Sequence, residues 1–521
     1  MTKLYEYLLD AAREAPDRTF IEFNEIQFPF AYVAAEAQQV AAGLRKLGVE
    51  AGDAVGLMLP NIPPFVSFYY GSLMNGCVVV PMNVMLRGNE IEYLCQDSQI
   101  RVIVTYEMFV DQVQAGVAHL ENPPEVFVVG QNAGPFKLFP ELLAPADGYA
   151  PADVDLHRPI MTLYTSGTTG KPKGAQITNA NVIANLDMFE SILPVEDDDK
   201  WLCVLPLFHC FALNGILNAS VRSRTPVVLQ PRFDLEACFG SLANEGITSF
   251  AGVPTMYFYL LKHPQLASTQ FPRLRFGISG GAAMPVDVLN QWEKQTGVPI
   301  YEGFGMTETT VSVSINRPEA RKVGSIGQPF AGVEMKIFDD DDRELPTGEV
   351  GELVIRAPNL LVGYLNKPEE TAEAMRSGWF HTGDMGYRDE DGFFYIVDRK
   401  KDMIIKGGFN IYPREIEEVL FQLPQVAEAA VVGAFDEAKG ERVVAVIAFK
   451  PGQHLTQDEI VAHLEQNLAK YKHPQEYVFR PELPKGPTGK ILKRELRHEW
   501  QQWNRDRVRD EESAQPSAAG G

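Results

Sequence analysis

Across its first 280 residues the chain alternates two patterns, and few folds accommodate that alternation. Leu4 to Arg13 and Ala31 to Leu47 place apolar residues at helical spacing. Ala54 to Leu59, Cys77 to Pro81, Arg101 to Thr105 and Val126 to Val129 are short apolar runs. The strand-like pattern recurs at Pro226 to Leu229 and Leu274 to Ser279. Runs of that length suit strands buried on both faces. Strands separated by helices pair in parallel, so an α/β fold is expected.

From Gly324 to Arg356 the texture changes. Val333 to Phe338 and Glu352 to Arg356 read as strands around the acidic turn Asp339 to Asp342, which predicts an antiparallel meander or barrel. The cluster Asp398-Arg399-Lys400-Lys401-Asp402 follows the strand-like Phe393 to Val397 and marks a solvated turn at a domain boundary. Beyond it, helices at Pro413 to Gln422 and Gln457 to Lys470 and strands at Ala429 to Val432 and Arg442 to Phe449 predict an α+β pattern. The last residues are charged, then small and Pro/Gly-rich, the composition of a disordered tail.

With 521 residues, 45% of them hydrophobic, the chain has more than one core needs. Its net charge is 47 − 69 = −22. An acidic surface repels DNA and anionic membranes, so no nucleic-acid partner is expected. The five cysteines form no Cys-x-x-Cys pair and sit mostly in apolar surroundings, which predicts buried free thiols. His209 beside Cys210 lacks a second ligand pair for zinc. The first ten residues carry charges where a secretion signal has its apolar core, and no run of about 18 apolar residues occurs, so a cytoplasmic protein without a transmembrane segment is expected.

Residues 162–174, Thr-Leu-Tyr-Thr-Ser-Gly-Thr-Thr-Gly-Lys-Pro-Lys-Gly, combine hydroxyls, glycines and lysines between two strand-like runs. Glycines let a backbone approach an anion, hydroxyls add donors and lysines add charge, so the loop suits phosphate. Pro172 stands where a Walker A loop has its second glycine.

Four further segments carry chemistry. Ser279-Gly280-Gly281-Ala282-Ala283-Met284-Pro285 joins a strand to a helix through small residues against which a flat ring can lie. Tyr301-Glu302-Gly303-Phe304-Gly305-Met306-Thr307-Glu308 sets an aromatic face beside a hydroxyl and a carboxylate suited to Mg²⁺. Gly378-Trp379-Phe380-His381-Thr382-Gly383-Asp384 ends on an aspartate that can accept two ribose hydroxyls. Pro487-Thr488-Gly489-Lys490-Ile491 presents a lysine on a glycine turn. Taken singly, each also reads as an ordinary turn or solvated group.

In this order the five segments resemble the acyl-adenylate-forming superfamily: acyl-CoA synthetases, peptide-synthetase adenylation domains and firefly-type luciferases. The resemblance runs from about residue 10 to about residue 500. It implies a large N-terminal domain, 1–399, of two mixed α/β sheet subdomains plus a β-barrel-like subdomain. A hinge at 400–402, including Lys401, a small mobile α+β domain at 403–505 and a disordered tail at 506–521 complete the expectation. The implied activity is ATP-dependent conversion of a carboxylic acid to acyl-AMP and pyrophosphate, then transfer to coenzyme A.

Residue by residue, the resemblance places Thr165, Ser166, Gly167, Thr168, Thr169, Gly170 and Lys173 on the ATP phosphates. Gly281, Ala282 and Ala283 would line the adenine, and Tyr301 would stack on it. Thr307 would touch the α-phosphate, and Glu308, with Thr165, would hold Mg²⁺. Asp384 and Arg399 match a ribose-binding pair, and Lys490 matches the lysine bridging carboxylate and α-phosphate. For the second step, Lys406, Gly407 and Gly408 match a segment tied to the thioester reaction and the pantetheine of CoA.

Leu205 to Ala212, with Phe208 and His209, should border the acyl site, joined by Val253, Met256, Tyr257, Gly277, Gly303, Phe304, Gly305 and Met306. This neighbourhood has no acid to bind an α-amino group, which favours an apolar acid over an amino acid. Gly407 to Glu417 resembles the fatty-acyl branch, so a fatty acid is expected. An aryl or alicyclic acid, or a non-CoA acceptor, is the alternative. The expected partners are the small-molecule acid, ATP and CoA, with a homodimer left open.

Overall fold

Two large sheets organise the first of two units into which the chain divides. The structure is a computed structural model that describes residues 2–165, 171–406, 409–436 and 440–500. Unit 1 comprises Met1–Met284, Val288–Lys336 and Val354–His381; unit 2 comprises Pro285–Asp287, Ile337–Leu353 and Thr382–Gly521.

One sheet of unit 1 runs Gly363–Tyr364, Lys173–Thr178, Pro159–Thr165, Val78–Pro81, Ala54–Met58, Ile100–Tyr106, Glu125–Val129, Lys137–Leu138. From Pro159–Thr165 onward the pairs are parallel; the first two strands add on antiparallel. Ala54–Met58 is buried at every position, as a strand covered on both faces must be. The second sheet runs Gln328–Pro329, Ser314–Ile315, Ile300–Phe304, Phe276–Ser279, Ser249–Gly252, Trp201–Cys203, Val227–Leu229, Thr19–Phe23, Ile26–Pro29. Its middle six strands are parallel. The strands expected from the apolar runs form, and so do both helices, at Leu4–Glu14 and Phe30–Lys46.

Between the helical segments Cys210–Ala212 and Ala219–Ser223 lies a π-helical stretch, Leu213–Asn218. Buried polar side chains hold it. Asn218 donates to Asn214 Oδ1 at 2.8 Å and accepts from the Tyr70 hydroxyl at 2.6 Å. Such stretches are costly and concentrate near functional sites.

In unit 2 a five-stranded sheet runs Phe409–Ile411, Ile404–Lys406, Gly440–Phe449, Val426–Asp436, with Glu476–Arg480 parallel to Gly440–Phe449. Helices Pro413–Phe421 and Gln457–Asn467 bury Ile416, Leu420, Ile460 and Leu464 against Ile404, Val431 and Val443. The other face packs Val432, Val444 and Val446 on Leu483 and Leu496. A separate four-stranded sheet runs Glu334–Phe338, Gly351–Arg356, Phe380–Arg388, Phe394–Arg399. The α+β pattern expected after residue 402 is thus present, with strands longer than the apolar runs suggested.

Candidate functional site

Strands Trp201–Cys203, Ser249–Gly252, Phe276–Ser279 and Ile300–Phe304 are neighbours running the same way. Their C-terminal ends therefore share one edge of the sheet. The segments leaving those ends are 204–212, Val253, 280–284 and 305–309, so the topology collects the unit 1 site residues expected from sequence other than those of the glycine-rich hairpin, which belongs to the first sheet. That edge is where open α/β sheets bind ligands, because there the loops are free to shape a crevice.

Gly281, Ala282 and Ala283 are exposed after their strand. Met284 N–H donates to Glu302 Oε1 at 2.9 Å and pins that turn to the next strand. Glu302, which the sequence did not single out, is 2% exposed. Tyr301 does not offer a free face: it is 7% exposed, its ring 5.9 Å from that of Phe276. Phe304, three residues on at the end of the same strand, is partly exposed. On this strand the partly exposed aromatic ring is that of Phe304, while that of Tyr301 is packed away.

Gly305 passes so close to the next turn that an added Cβ would overlap the Val311 carbonyl oxygen. The turn Thr307–Thr309 follows, braced by Met306 N–H on Thr309 Oγ1 at 2.9 Å. It ends at Thr310, with φ 64° and ψ −52°. For a β-branched residue this is a strained, tight γ-turn. Val311 N–H closes it on Thr309 O at 2.6 Å. Asn359 donates to Thr309 O at 2.7 Å, and the Thr310 hydroxyl donates to Asn359 O at 2.7 Å. Strain persists where the surroundings over-determine it, and here it fixes the exit of the Thr307–Glu308 turn.

The glycine-rich loop closes the hairpin of Pro159–Thr165 and Lys173–Thr178, with Thr165 opposite Lys173. Ser166, Gly167, Thr168, Thr169 and Gly170 lie outside the described residues. The short strand Gly363–Tyr364 pairs beside the hairpin, Tyr364 opposite Ala175. The segment before it reaches the Thr307 turn, Leu361 N–H donating to Glu308 O at 2.7 Å. The Tyr364 hydroxyl donates to Glu308 Oε1 at 2.9 Å, while Lys173 Nζ lies 5.3 Å from the Tyr364 ring centroid. Burial, then the Glu308 charge, pushes the Tyr364 phenol well up, so it stays a donor. Tyr364 was not anticipated: nothing in a Gly-Tyr pair signals a strand.

In segment 204–212 His209 is tied down. Its Nδ1 accepts Phe211 N–H at 3.2 Å and caps the helical segment that starts at Cys210. Phe208 and Phe211 are partly exposed, as are Gly303, Gly305 and Met306. Val253, Met256 and Tyr257 are buried, and Tyr257 donates to Ile278 O at 2.9 Å behind Gly277. Tyr257 and Gly277 therefore form packed structure behind the edge. Cys210 Sγ lies 3.9 Å from Thr307 Oγ1, joining the two halves of the site.

Unit 2 holds its own set. Asp384, 4% exposed, sits opposite Arg399 across a strand pair, with Arg399 Nε 3.2 Å from Asp384 Oδ1. Gly383, inside the strand Phe380–Arg388, takes φ 71°. Partial burial of the Lys401 ammonium, then the nearby Arg399 charge, lowers its pKa. Lys406 ends its strand with Nζ 2.9 Å from Tyr471 O. Gly407 and Gly408 lie outside the described residues. Lys490 stands on a turn closed by Gly486 N–H on Lys490 O at 2.8 Å, Gly489 taking φ 78°.

The protein-family model for AMP-binding enzymes matches residues 8–365, and that for the AMP-binding enzyme C-terminal domain matches 415–490. The chain belongs to the AMP-binding enzyme family. It is similar to a long-chain-fatty-acid–CoA ligase of Bacillus subtilis, 36% identical over 95% of this chain and 94% of the relative. It is also similar to a feruloyl-CoA synthase of an Amycolatopsis species, 35% identical over 93% of this chain and 96% of the relative. Among solved structures, an anthranilate CoA ligase in complex with anthranoyl-AMP superposes with a TM-score of 0.90 at 27% identity, over 96% of this chain and 98% of that one. The protein is an adenylate-forming CoA ligase, with ATP, CoA and a carboxylate as its substrates. No helix among the described residues is long and apolar enough to cross a membrane.

The ligase's residues fit Mg²⁺. Among the described residues no group of three or more His, Cys, Asp or Glu is placed to hold an ion. Glu308, 9% exposed and accepting from the Tyr364 hydroxyl, offers a hard carboxylate oxygen. One carboxylate plus substrate phosphates is the donor set that Mg²⁺ takes.

Proposed function

We propose that this ligase activates an apolar carboxylic acid, a fatty acid foremost, and passes it to CoA in the cytoplasm. One observation carries the reading: the segment after strand Trp201–Cys203 carries the partly exposed Phe208, His209 and Phe211 around the buried Cys210, with no carboxylate to pair an α-amino group. The long-chain-fatty-acid relative supports it.

In the first step the acid is already ionised at neutral pH, so no general base is needed. Bringing two anions together makes positioning and charge neutralisation the source of rate. Lys490 is assigned to the carboxylate and α-phosphate oxygens, Thr307 to the α-phosphate, and Thr165, Lys173 and the 166–170 loop to the departing pyrophosphate. Phe304 and Gly281 to Ala283 are assigned to the adenine, and Asp384 with Arg399 to the ribose. Glu308, with Thr165, would hold Mg²⁺, which when bound offsets triphosphate charge. In the second step the CoA thiol displaces AMP, with Lys406, Gly407 and Gly408 serving the pantetheine arm and residues near Lys401 acting as the hinge.

A pyrophosphate-release screen over saturated fatty, aryl and alicyclic acids, with and without CoA, tests the reading. Turnover highest with fatty acids supports it. Release only with aryl acids, such as those named for the feruloyl relative, would replace it with the aryl reading.

A further inference from the structure

Tyr364 lies at the junction of three parts of the site. Its strand pairs with the strand leaving the phosphate loop, Tyr364 opposite Ala175. Its ring faces Lys173 Nζ at 5.3 Å. Its hydroxyl donates to Glu308 Oε1 at 2.9 Å, and its backbone N–H is held by Thr371 Oγ1 at 2.9 Å. Leu361 N–H anchors the Glu308 backbone from the same segment at 2.7 Å. A glutamate carboxylate turns freely about its last bond unless something holds one oxygen. Here one oxygen is held from the side of the hairpin.

We propose that Tyr364 is a positioning residue of the adenylation step: its hydroxyl fixes one oxygen of Glu308 so that the other faces the metal-bound triphosphate. The Lys173 contact sets the same ring beside the start of strand Lys173–Thr178, so Lys173 and the Glu308 carboxylate meet on one side chain. The proposal rests on the assignment of Glu308 as the metal-holding carboxylate. A hydrogen bond to a charged group is strong enough that its loss changes an affinity by about tenfold.

The test uses the full chain, with Mn²⁺·ATP binding followed by electron paramagnetic resonance and metal-free ATP binding followed by calorimetry in EDTA. Tyr364→Phe keeps the ring and removes the hydroxyl. It is expected to weaken Mn²⁺·ATP by about tenfold and to leave metal-free ATP unchanged, whereas a general disturbance of the site weakens both. Glu308→Gln/Tyr364→Phe is expected to bind Mn²⁺·ATP no worse than Glu308→Gln. If Glu308→Gln leaves Mn²⁺·ATP binding intact, the Glu308 assignment itself is wrong. If Glu308→Gln weakens it and Tyr364→Phe does not, or the double variant is weaker than Glu308→Gln, Tyr364 has no positioning role. Should Tyr364→Phe not fold, Tyr364→His, which retains a ring donor, must bind Mn²⁺·ATP better than Tyr364→Leu, and equal affinities overturn the proposal.

Discussion

Lys493 Nζ stands 2.7 Å from Glu417 Oε1, with most of both side chains removed from solvent, and this pair ties segment 493–500 to helix Pro413–Phe421. Glu417 Oε1 also accepts Val431 N–H at 2.6 Å. Burial works against the Lys493 ammonium, but Glu417, with Asp398 and Asp402 behind it, more than offsets that and raises its pKa. A raised lysine stabilises the fold fully below its unfolded value, near 10.5, and the contribution fades as pH climbs past that value. Lys493→Met should cost about 3 kcal/mol at pH 7 in urea unfolding, because it strands a buried carboxylate. Lys493→Met/Glu417→Gln, which removes the charge and keeps an acceptor for Val431, should recover part of that loss.

All five cysteines are buried. Burial pushes the Cys203 thiol up to about 12 from 9.0, and that of Cys95, also mainly by burial, to about 12. An acid raised by folding stabilises below its unfolded value and loses that contribution as pH rises towards the folded one. The urea midpoint should therefore fall between pH 9 and pH 12. At pH 8 a disulfide reagent should modify no thiol rapidly in the native protein and all five after denaturation; fast native labelling would contradict this burial.

Gly305→Ala should lower adenylation by on the order of 100-fold, since the added Cβ displaces the Thr307–Glu308 turn relative to the reacting atoms. Stopped-flow pyrophosphate release checks it, and a loss confined to thermal stability would show that the turn had not moved.

Lys490→Ala should abolish acyl-AMP formation yet spare thioester formation from preformed acyl-AMP, and Lys406→Ala should do the reverse. Two half-reaction assays separate them. Loss of only the thioester step in Lys490→Ala would exchange the two roles.

Much of this architecture is written in local patterns. A strand covered on both faces, such as Ala54–Met58, must be apolar throughout, and that is visible in one chain. The glycine-rich run 162–174 likewise carries its signal in adjacent residues. Tyr364 does not: its strand is two residues long, and its partner Glu308 is 56 residues away. Tyr301 and Phe304 were indistinguishable as aromatic residues of one strand. On an extended chain, positions three apart point to opposite faces, and only the pairing with Phe276–Ser279 shows which ring is packed away. The positive φ of Thr310 had no sequence signal, since threonine rarely adopts it.

The π-helical stretch Leu213–Asn218 behaves as a phase shifter. A π turn holds about one residue more than an α turn, and each residue advances an α-helix by about 100°. Everything before the stretch, including His209, Cys210 and Phe211, is thus set at an azimuth that a regular helix through Ala219–Ser223 would not give. Deleting one residue from 213–218 would leave the chemical inventory of segment 209–212 intact and rotate it, so the identity of these side chains and the direction they face are separately inherited properties of this chain.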